Sequence, residues 1–287
     1  MKIFLGVDIT DKKNPVAYQA DEFVSKQLSE VSQQALDESS DQMDELRGKA
    51  GLPKALSIVL YICSIVFAIC LVATIRSLID GVSLEQQHQN APFVSWIMGG
   101  TAVVSLGLFL YGRYLFKKVA KDDKTDYAVS KHNAVLENAI SELGIPGDAQ
   151  DVDFFIFRYT QKNNEIVIKK QDFYHFMIPI SLSVYRNGDK LCIADVTKVL
   201  EFPVAEFTKI TTINKSAFIT EWNKNESPKQ GKYKQYKIKD VQGGLLVKPY
   251  HILHLVHNGE EICMYFPCYE LPVIQQLTGI DKVEQEN

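Results

Sequence analysis

Apolar and polar positions alternate with three different rhythms along this chain. Residues 55–75 and 93–112 are two apolar runs without a charged side chain, separated by the polar residues 76–92. Each run is close to the ~20 residues that an α-helix needs to cross the hydrocarbon core of a bilayer. On either side the rhythm is that of an amphipathic helix. Over 21–49, Val24, Leu28, Val31 and Ala35 recur in steps of four and three; the stripe weakens through Ser39 and returns at Met43 and Leu46, and Leu52-Pro53 ends it. Over 115–143 the stripe is Ala128, Val135, Leu136, Ala139, Ile140 and Leu143, stopped by Gly144 and Pro146. The two amphipathic helices leave the apolar pair on the same side, so they are expected to pack as a stalk or to pair with another copy.

From Asp151 the period becomes two. Strands are expected over 154–160, 165–169, 174–185, 190–197, 208–213, 233–239, 244–257 and 261–266. Asn187-Gly188 and Asn258-Gly259 are the dipeptides of type I′ hairpin turns. Residues 270–279 suit a short helix ending at Gly279, and 281–287 a frayed polar tail. At the N-terminus, 3–9 suits one strand, followed by a turn at Asn14-Pro15.

The organisation expected is an N-terminal strand and amphipathic helix over 1–54, a transmembrane hairpin over 55–112, a helical stalk over 113–146, a β domain over 150–280 and a tail over 281–287. The fold class is an α + β membrane protein, in which the hairpin and its cytoplasmic helices precede a C-terminal antiparallel β-barrel or sandwich closed by a short helix.

Charge sets the expected orientation. Arg47, Lys49 and Lys54 precede the first apolar run, and Arg113, Lys117, Lys118, Lys121 and Lys124 follow the second, whereas the loop offers only Arg76. The positive-inside rule places both termini in the cytoplasm of a multi-pass cell-membrane protein. Trp96, Tyr111 and Tyr114 stand where interfacial aromatic rings belong. Residues 1–8 carry too short an apolar run for a signal peptide and no small-residue cleavage site follows, so the N-terminus reads as mature. The five cysteines are odd in number and lack framework spacing, which suits reduced, buried thiols. With 31 Lys and Arg against 35 Asp and Glu, no nucleic-acid partner is expected.

Three clusters remain as candidate chemistry. His251, His254 and His257 share one strand, but alternation sends His254 to the face opposite the other two, so a zinc site would need Cys263 or Cys268 beside it; no metal site is assigned. Ser95, Gly99, Gly100, Ser105 and Gly107 would let a helix backbone approach closely, against Ser64 and Ala68 of the hairpin or against another copy. Lys224, Lys229, Lys232, Lys234, Lys237 and Lys239, interleaved with Trp222, Tyr233 and Tyr236, form the densest basic cluster. These lysines suit contact with anionic lipid headgroups, or a solvated edge strand guarded against aggregation. No catalytic motif and no cofactor fingerprint occurs, and an enzyme is not expected.

The phrase Leu200-Glu201-Phe202-Pro203-Val204-Ala205-Glu206-Phe207-Thr208-Lys209-Ile210 resembles the strand-turn-strand phrase of bacterial pleckstrin-homology-like (PH-like) domains. With the order of strands and closing helix, the resemblance covers about 153–279; residues 214–231 depart from it as an insertion. The whole arrangement is similar to two-span membrane proteins of Gram-positive bacteria. The resemblance implies a bent β domain that offers a groove or loops to a protein, peptide or lipid. The expected function is thus a membrane-anchored cytoplasmic interaction or sensing module. The alternative is an accessory subunit of a transport or envelope-assembly complex whose interface is the hairpin itself.

Overall fold

The computed structural model describes every residue except 11–14, 163–164, 172 and 286–287. Asn14 of the expected turn and the end of the expected tail lie outside the described residues. The chain divides into two compact units: Met1–Ser29 with Ala139–Asn287, and Glu30–Asn138.

The second unit is helical: α1 (Glu30–Ala50), α2 (Lys54–Ile79), α3 (Leu84–Asn90), α4 (Pro92–Ala120) and most of α5 (Asp123–Leu143). At 26 and 29 residues, α2 and α4 are long and apolar enough to cross a membrane, and the apolar window of neither is buried. They pack on each other along a seam. The less exposed positions of α2 include Leu56, Leu60, Cys63, Phe67, Cys70, Thr74 and Ser77; those of α4 include Val94, Met98, Thr101, Ser105, Leu108, Gly112 and Leu115. Both series step by four and three, the heptad rhythm of left-handed helix pairs. Small and hydroxylic residues on the seam allow close approach, and the two threonine hydroxyls are satisfied within their own helix. Thr74 Oγ1 donates to the Cys70 carbonyl at 2.9 Å and Thr101 Oγ1 to that of Ile97 at 2.8 Å.

This seam revises the reading of the small residues. Ser105 faces it, but Ser95, Gly99, Gly100 and Gly107 are exposed, and a Cβ added to any of those three glycines would meet nothing within 4 Å. Packing within the hairpin does not use them. The loop, expected only as a polar connection, holds a short helix, α3, opened by a capping box in which Gln86 N donates to Ser83 Oγ at 3.2 Å. Toward the other end, Ser39 Oγ lies 3.0 Å from His132 Nδ1, which sets α1 beside α5. The expected start of α1 at residue 21 is too early. Val24–Gln27 is a strand, Leu28 is buried in the β unit, and Val31 is exposed.

The other unit holds three sheets. In hydrogen-bonded order the first is Lys2–Ile3, Glu260–Pro267, Tyr250–His257, Phe207–Ile213 and Val283–Gln285. The second is Gly6–Asp8, Gln150–Lys162, Ile178–Asn187, Lys190–Ala194, Lys198–Pro203 and Val24–Gln27, with Glu165–Ile168 paired to Gln150–Lys162. The third is Lys237–Val241, Gly244–Lys248, Ala217–Ile219, Tyr174–Phe176 and Lys170–Gln171. The helix α6 (Leu271–Thr278) follows, with Gly279 in the left-handed region at φ 76° as its C-cap.

Two cores explain why these strands do not form one closed barrel. Val152 and Phe154 enter a core shared with Leu191, Phe202, Leu253, Met264 and Ile274 of α6. The alternate residues Phe155, Phe157 and Tyr159 enter a second core with Tyr250, Cys263 and Tyr265, roofed by Ala217, Ile219 and Val247 of the third sheet. Central strands buried on both faces need a cover on both sides, and the third sheet supplies the second cover. Two expected strands divide accordingly: 174–185 at buried Met177, and 244–257 at Pro249, which has no N–H to donate. Gly231–Gln235 is a short 3₁₀ turn where a strand was expected. The N-terminal strands and the tail are also bound in: Ile3 pairs with Cys263, and Val283 with Ile210. Residues 1–29 therefore separate from the helix with which 1–54 was grouped. Of the two hairpins, Asn258-Gly259 has positive φ at both residues, as type I′ requires. In the other, Asn187 pairs with Lys190 and only Gly188 has positive φ, so the loop is Gly188-Asp189 with glycine first, as in type II′.

Phe67→Ala or Leu108→Ala on the seam is expected to lower the resistance of the detergent-solubilised hairpin to SDS unfolding by about 1–3 kcal/mol. Ile69→Ala and Gly99→Ala, on the outer face, should change it by less than about 0.5 kcal/mol. In the β unit, burial pulls His175 and His251 down to about 4, with Lys215 and Lys170 adding to the effect at His175. Both are neutral in the folded state and protonate near 6.5 once unfolded, so the stability they protect is present above pH 6.5 and is lost as pH falls toward 4. Melting at pH 7.5 and 5.0 should show this loss, and a His175→Gln/His251→Gln variant should show a shallower slope.

Candidate functional site

Asp153 stands in the run Val152-Asp153-Phe154-Phe155 of a strand buried on both faces, and its carboxylate is fully buried. A lone carboxylate there needs a cation, and Lys224 supplies it. Lys224 Nζ lies 3.2 Å from Asp153 Oδ1 and 2.7 Å from Glu270 Oε1, and it donates to the Asp151 carbonyl at 2.8 Å. The Tyr269 hydroxyl donates to Asp153 Oδ2 at 2.8 Å, and the Asp153 amide donates to Glu270 Oε1 at 3.2 Å. Burial pushes Glu270 upward, with Asp153 adding to the effect and Lys224 opposing it. Burial also raises the Tyr269 phenol, helped by Asp153, so it stays a donor.

The cluster pins the segment that departs from the PH-like pattern. Trp222, Tyr233 and Tyr269 meet edge to face with ring centroids 5.1–5.6 Å apart. Asn223 Nδ2 donates to the Pro179 carbonyl at 2.9 Å and Trp222 Nε1 to that of Glu226 at 2.7 Å. Three successive residues thus anchor the segment by stacking, hydrogen bonding and charge.

Lys224 is therefore withdrawn from the basic cluster, because its ammonium is committed to two buried carboxylates. The other five lysines stay exposed. Lys229 pairs with Asp240, and Lys232 Nζ lies 5.2 Å from the centroid of the Tyr233 ring. Lys237 and Lys239 share the outer face of Lys237–Val241, the edge strand of the third sheet. Lys234 lies in the turn before it.

A groove of about 560 Å³ in this unit is lined by Lys26, Asp148, Tyr185, Arg186, Glu201 and Gln276 among others. Its cations rest on carbonyls: Lys26 Nζ donates to Leu143 O at 3.2 Å and Arg186 Nε to Gly188 O at 3.1 Å. Lys190 holds Glu201 at 2.5 Å and keeps its carboxyl below the usual range, whereas burial pushes the Tyr185 phenol up to about 12. The groove thus presents both signs of charge and an aromatic hydroxyl. Of its lining, Gly144, Pro146, Asn187 and Glu201 carry local signals, a helix stop, a turn and the PH-like phrase, and none of these points to a groove. Its parts are far apart in the chain and no local pattern joins them.

The three histidines are held separately. His251 Nδ1 lies 3.0 Å from Thr212 Oγ1, His257 Nδ1 2.8 Å from Glu206 Oε2, and His254 Nε2 2.8 Å from Thr211 Oγ1. Cys263 is the cross-strand partner of His254, whereas Cys268 Sγ lies beside the Lys248 carbonyl. Compared with known proteins, the chain matches no family model, no curated protein and no solved structure.

Removing the buried ammonium leaves two carboxylates unpaired. Lys224→Met is expected to destabilise the β unit by about 3–5 kcal/mol in denaturant unfolding of the solubilised protein. Adding Glu270→Gln should recover part of that loss.

Proposed function

We propose that the protein is a membrane-anchored recognition module. In this reading α2 and α4 hold the β unit at the inner leaflet, and that unit offers its groove to a protein or peptide and its edge lysines to anionic headgroups. The observation that carries the reading is the uncovered apolar surface of the two helices. A soluble protein buries helices of this composition, whereas here no part of either apolar window is buried, so lipid is the natural cover. The excess of Lys and Arg flanking the hairpin over that in its loop supports an orientation with both termini in the cytoplasm. The strand order with its closing helix supports the PH-like likeness, with the third sheet and the pinned segment as additions to that plan.

A second reading is favoured by the open face of Gly99, Gly100 and Gly107. A helix from another membrane subunit could approach closely there, as it would if the protein were an accessory subunit.

The anchor is tested by alkaline carbonate extraction of cell membranes. The full chain is expected to stay in the pellet, and release into the supernatant rejects the reading. The lipid contact is tested in nanodiscs by amide exchange over 229–241. Exchange is expected to be severalfold slower with phosphatidylglycerol than with phosphatidylcholine, and the difference should vanish in a Lys232→Glu/Lys234→Glu/Lys237→Glu variant. Equal exchange in both lipids rejects it.

A further inference from the structure

On adjacent strands of the first sheet, His254, Glu261 and Cys263 bring an imidazole, a carboxylate and a thiol to one place, all three ligand atoms lying within 4.8 Å of one another. The arrangement follows from register. His254 and Cys263 are directly opposed, and Glu261, two residues before Cys263, projects from the same face. His254 Nδ1 lies 2.9 Å from Glu261 Oε1 and 3.6 Å from Cys263 Sγ. We propose that these three side chains form a site for a borderline-soft divalent metal ion, Zn²⁺ or its analogue Co²⁺, with a fourth position left to water.

Geometry, charge and support from neighbouring residues agree with this assignment. Zinc–nitrogen bonds of about 2.0–2.1 Å and zinc–sulfur bonds of about 2.3 Å at a tetrahedral angle place the two ligand atoms about 3.6 Å apart. The observed Nδ1–Sγ separation is 3.6 Å. A thiolate, a carboxylate and a neutral imidazole sum to two negative charges, which a divalent ion cancels in a place where Cys263 is buried. Nitrogen and sulfur donors select Zn²⁺ or Co²⁺ over Ca²⁺ or Mg²⁺. The other ring nitrogen, Nε2, lies 2.8 Å from Thr211 Oγ1, which can accept its N–H when Nδ1, 2.9 Å from Glu261 Oε1, turns its lone pair to the ion. Lys209, opposed to His254 on the neighbouring strand, is paired with Glu284 at 3.9 Å, which draws its charge aside. Glu261 is partly exposed, so it opens the site to solvent and is where the fourth ligand would enter.

The test is a Co²⁺ titration of the detergent-solubilised full chain after chelator treatment and reduction. One equivalent per chain is expected to give tetrahedral d–d bands with a thiolate-to-cobalt charge-transfer absorption, and excess Zn²⁺ should bleach both. Cys263→Ser should remove the charge-transfer absorption, and Cys192→Ser and Cys268→Ser should retain it. Glu261→Gln and Thr211→Val should each weaken binding about tenfold or more. As a readout independent of spectra, Zn²⁺ should raise the melting temperature of the wild type more than that of Glu261→Gln, whose exposed position spares the fold. A titration without saturation at one equivalent overturns the proposal. So does a charge-transfer band that survives Cys263→Ser, since that places the ion on another thiol.

Discussion

The bare apolar surface of α2 and α4 is the constraint to which the helical unit answers. Helices this apolar are unstable in water unless something covers them, and their own packing covers only one stripe of each. Where lipid is the cover, helix association gains little from hydrophobicity and depends on close packing. The seam fits that demand. Cys63, Cys70, Thr74, Ser77, Thr101, Ser105 and Gly112 are small enough for backbones to approach, and the hydroxyls of Thr74 and Thr101 are spent on carbonyls one turn earlier. The larger side chains Ile58, Tyr61, Ile69 and Phe109 point outward, which is the reverse of a soluble helix pair.

In the β unit the corresponding constraint is burial of a sheet on both faces. Gln150–Lys162 feeds Phe154 into one core and Phe155 into the other, so the strand tolerates no free charge. Asp153 interrupts it all the same. Its carboxylate obliges the chain to return a cation, and the segment around Trp222, Asn223 and Lys224 does so while roofing the second core. The residues that look like an insertion into a PH-like plan are thus required by one aspartate in a central strand. A buried pair of this kind adds little net stability over an apolar substitute, but it is intolerant of losing one member. That intolerance fixes where the segment must dock.

How far the sequence reveals this depends on the range of each interaction. Periodicity exposes both apolar helices, most of the longer strands and the short helix ending at Gly279, because those signals are local, but not Val24–Gln27, Ala217–Ile219 or Val283–Gln285, which are strands only through distant partners. The heptad of the seam was equally local, but small residues drew attention to Gly99 and Gly100 instead of to the four-three steps of Phe67, Cys70 and Thr74. Ser83-x-x-Gln86 likewise announced α3. Other features had a local clue but no local partner. Asp153 among aromatics shows that a cation is needed, yet nothing nearby says that Lys224 provides it. Strand alternation placed His254 on its own face, but register alone brings Cys263 opposite. The strands that divide at Met177 and Pro249 do so because the chain changes sheets there, a decision made by distant partners. The groove could not be read at all, since Lys26, Arg186 and Gln276 meet only through tertiary structure.

Withdrawing Lys224 from the basic cluster, and pairing Lys229 with Asp240, changes what the remaining lysines can do. Lys232, Lys234, Lys237 and Lys239 keep exposed charges. At about 1 kcal/mol each beneath an anionic leaflet, they supply roughly 4 kcal/mol, which corresponds to a dissociation constant near 1 mM for an untethered domain. Such a surface could not recruit the protein to a membrane. On the proposed reading it does not need to, because the hairpin already confines the β unit at millimolar effective concentration. Contact and release are then nearly balanced, and a change of a single charge or of ionic strength shifts the balance severalfold. On that reading the anchor and the lysines divide the work: the hairpin supplies residence at the bilayer, and the lysines supply an orientation weak enough to be reversed.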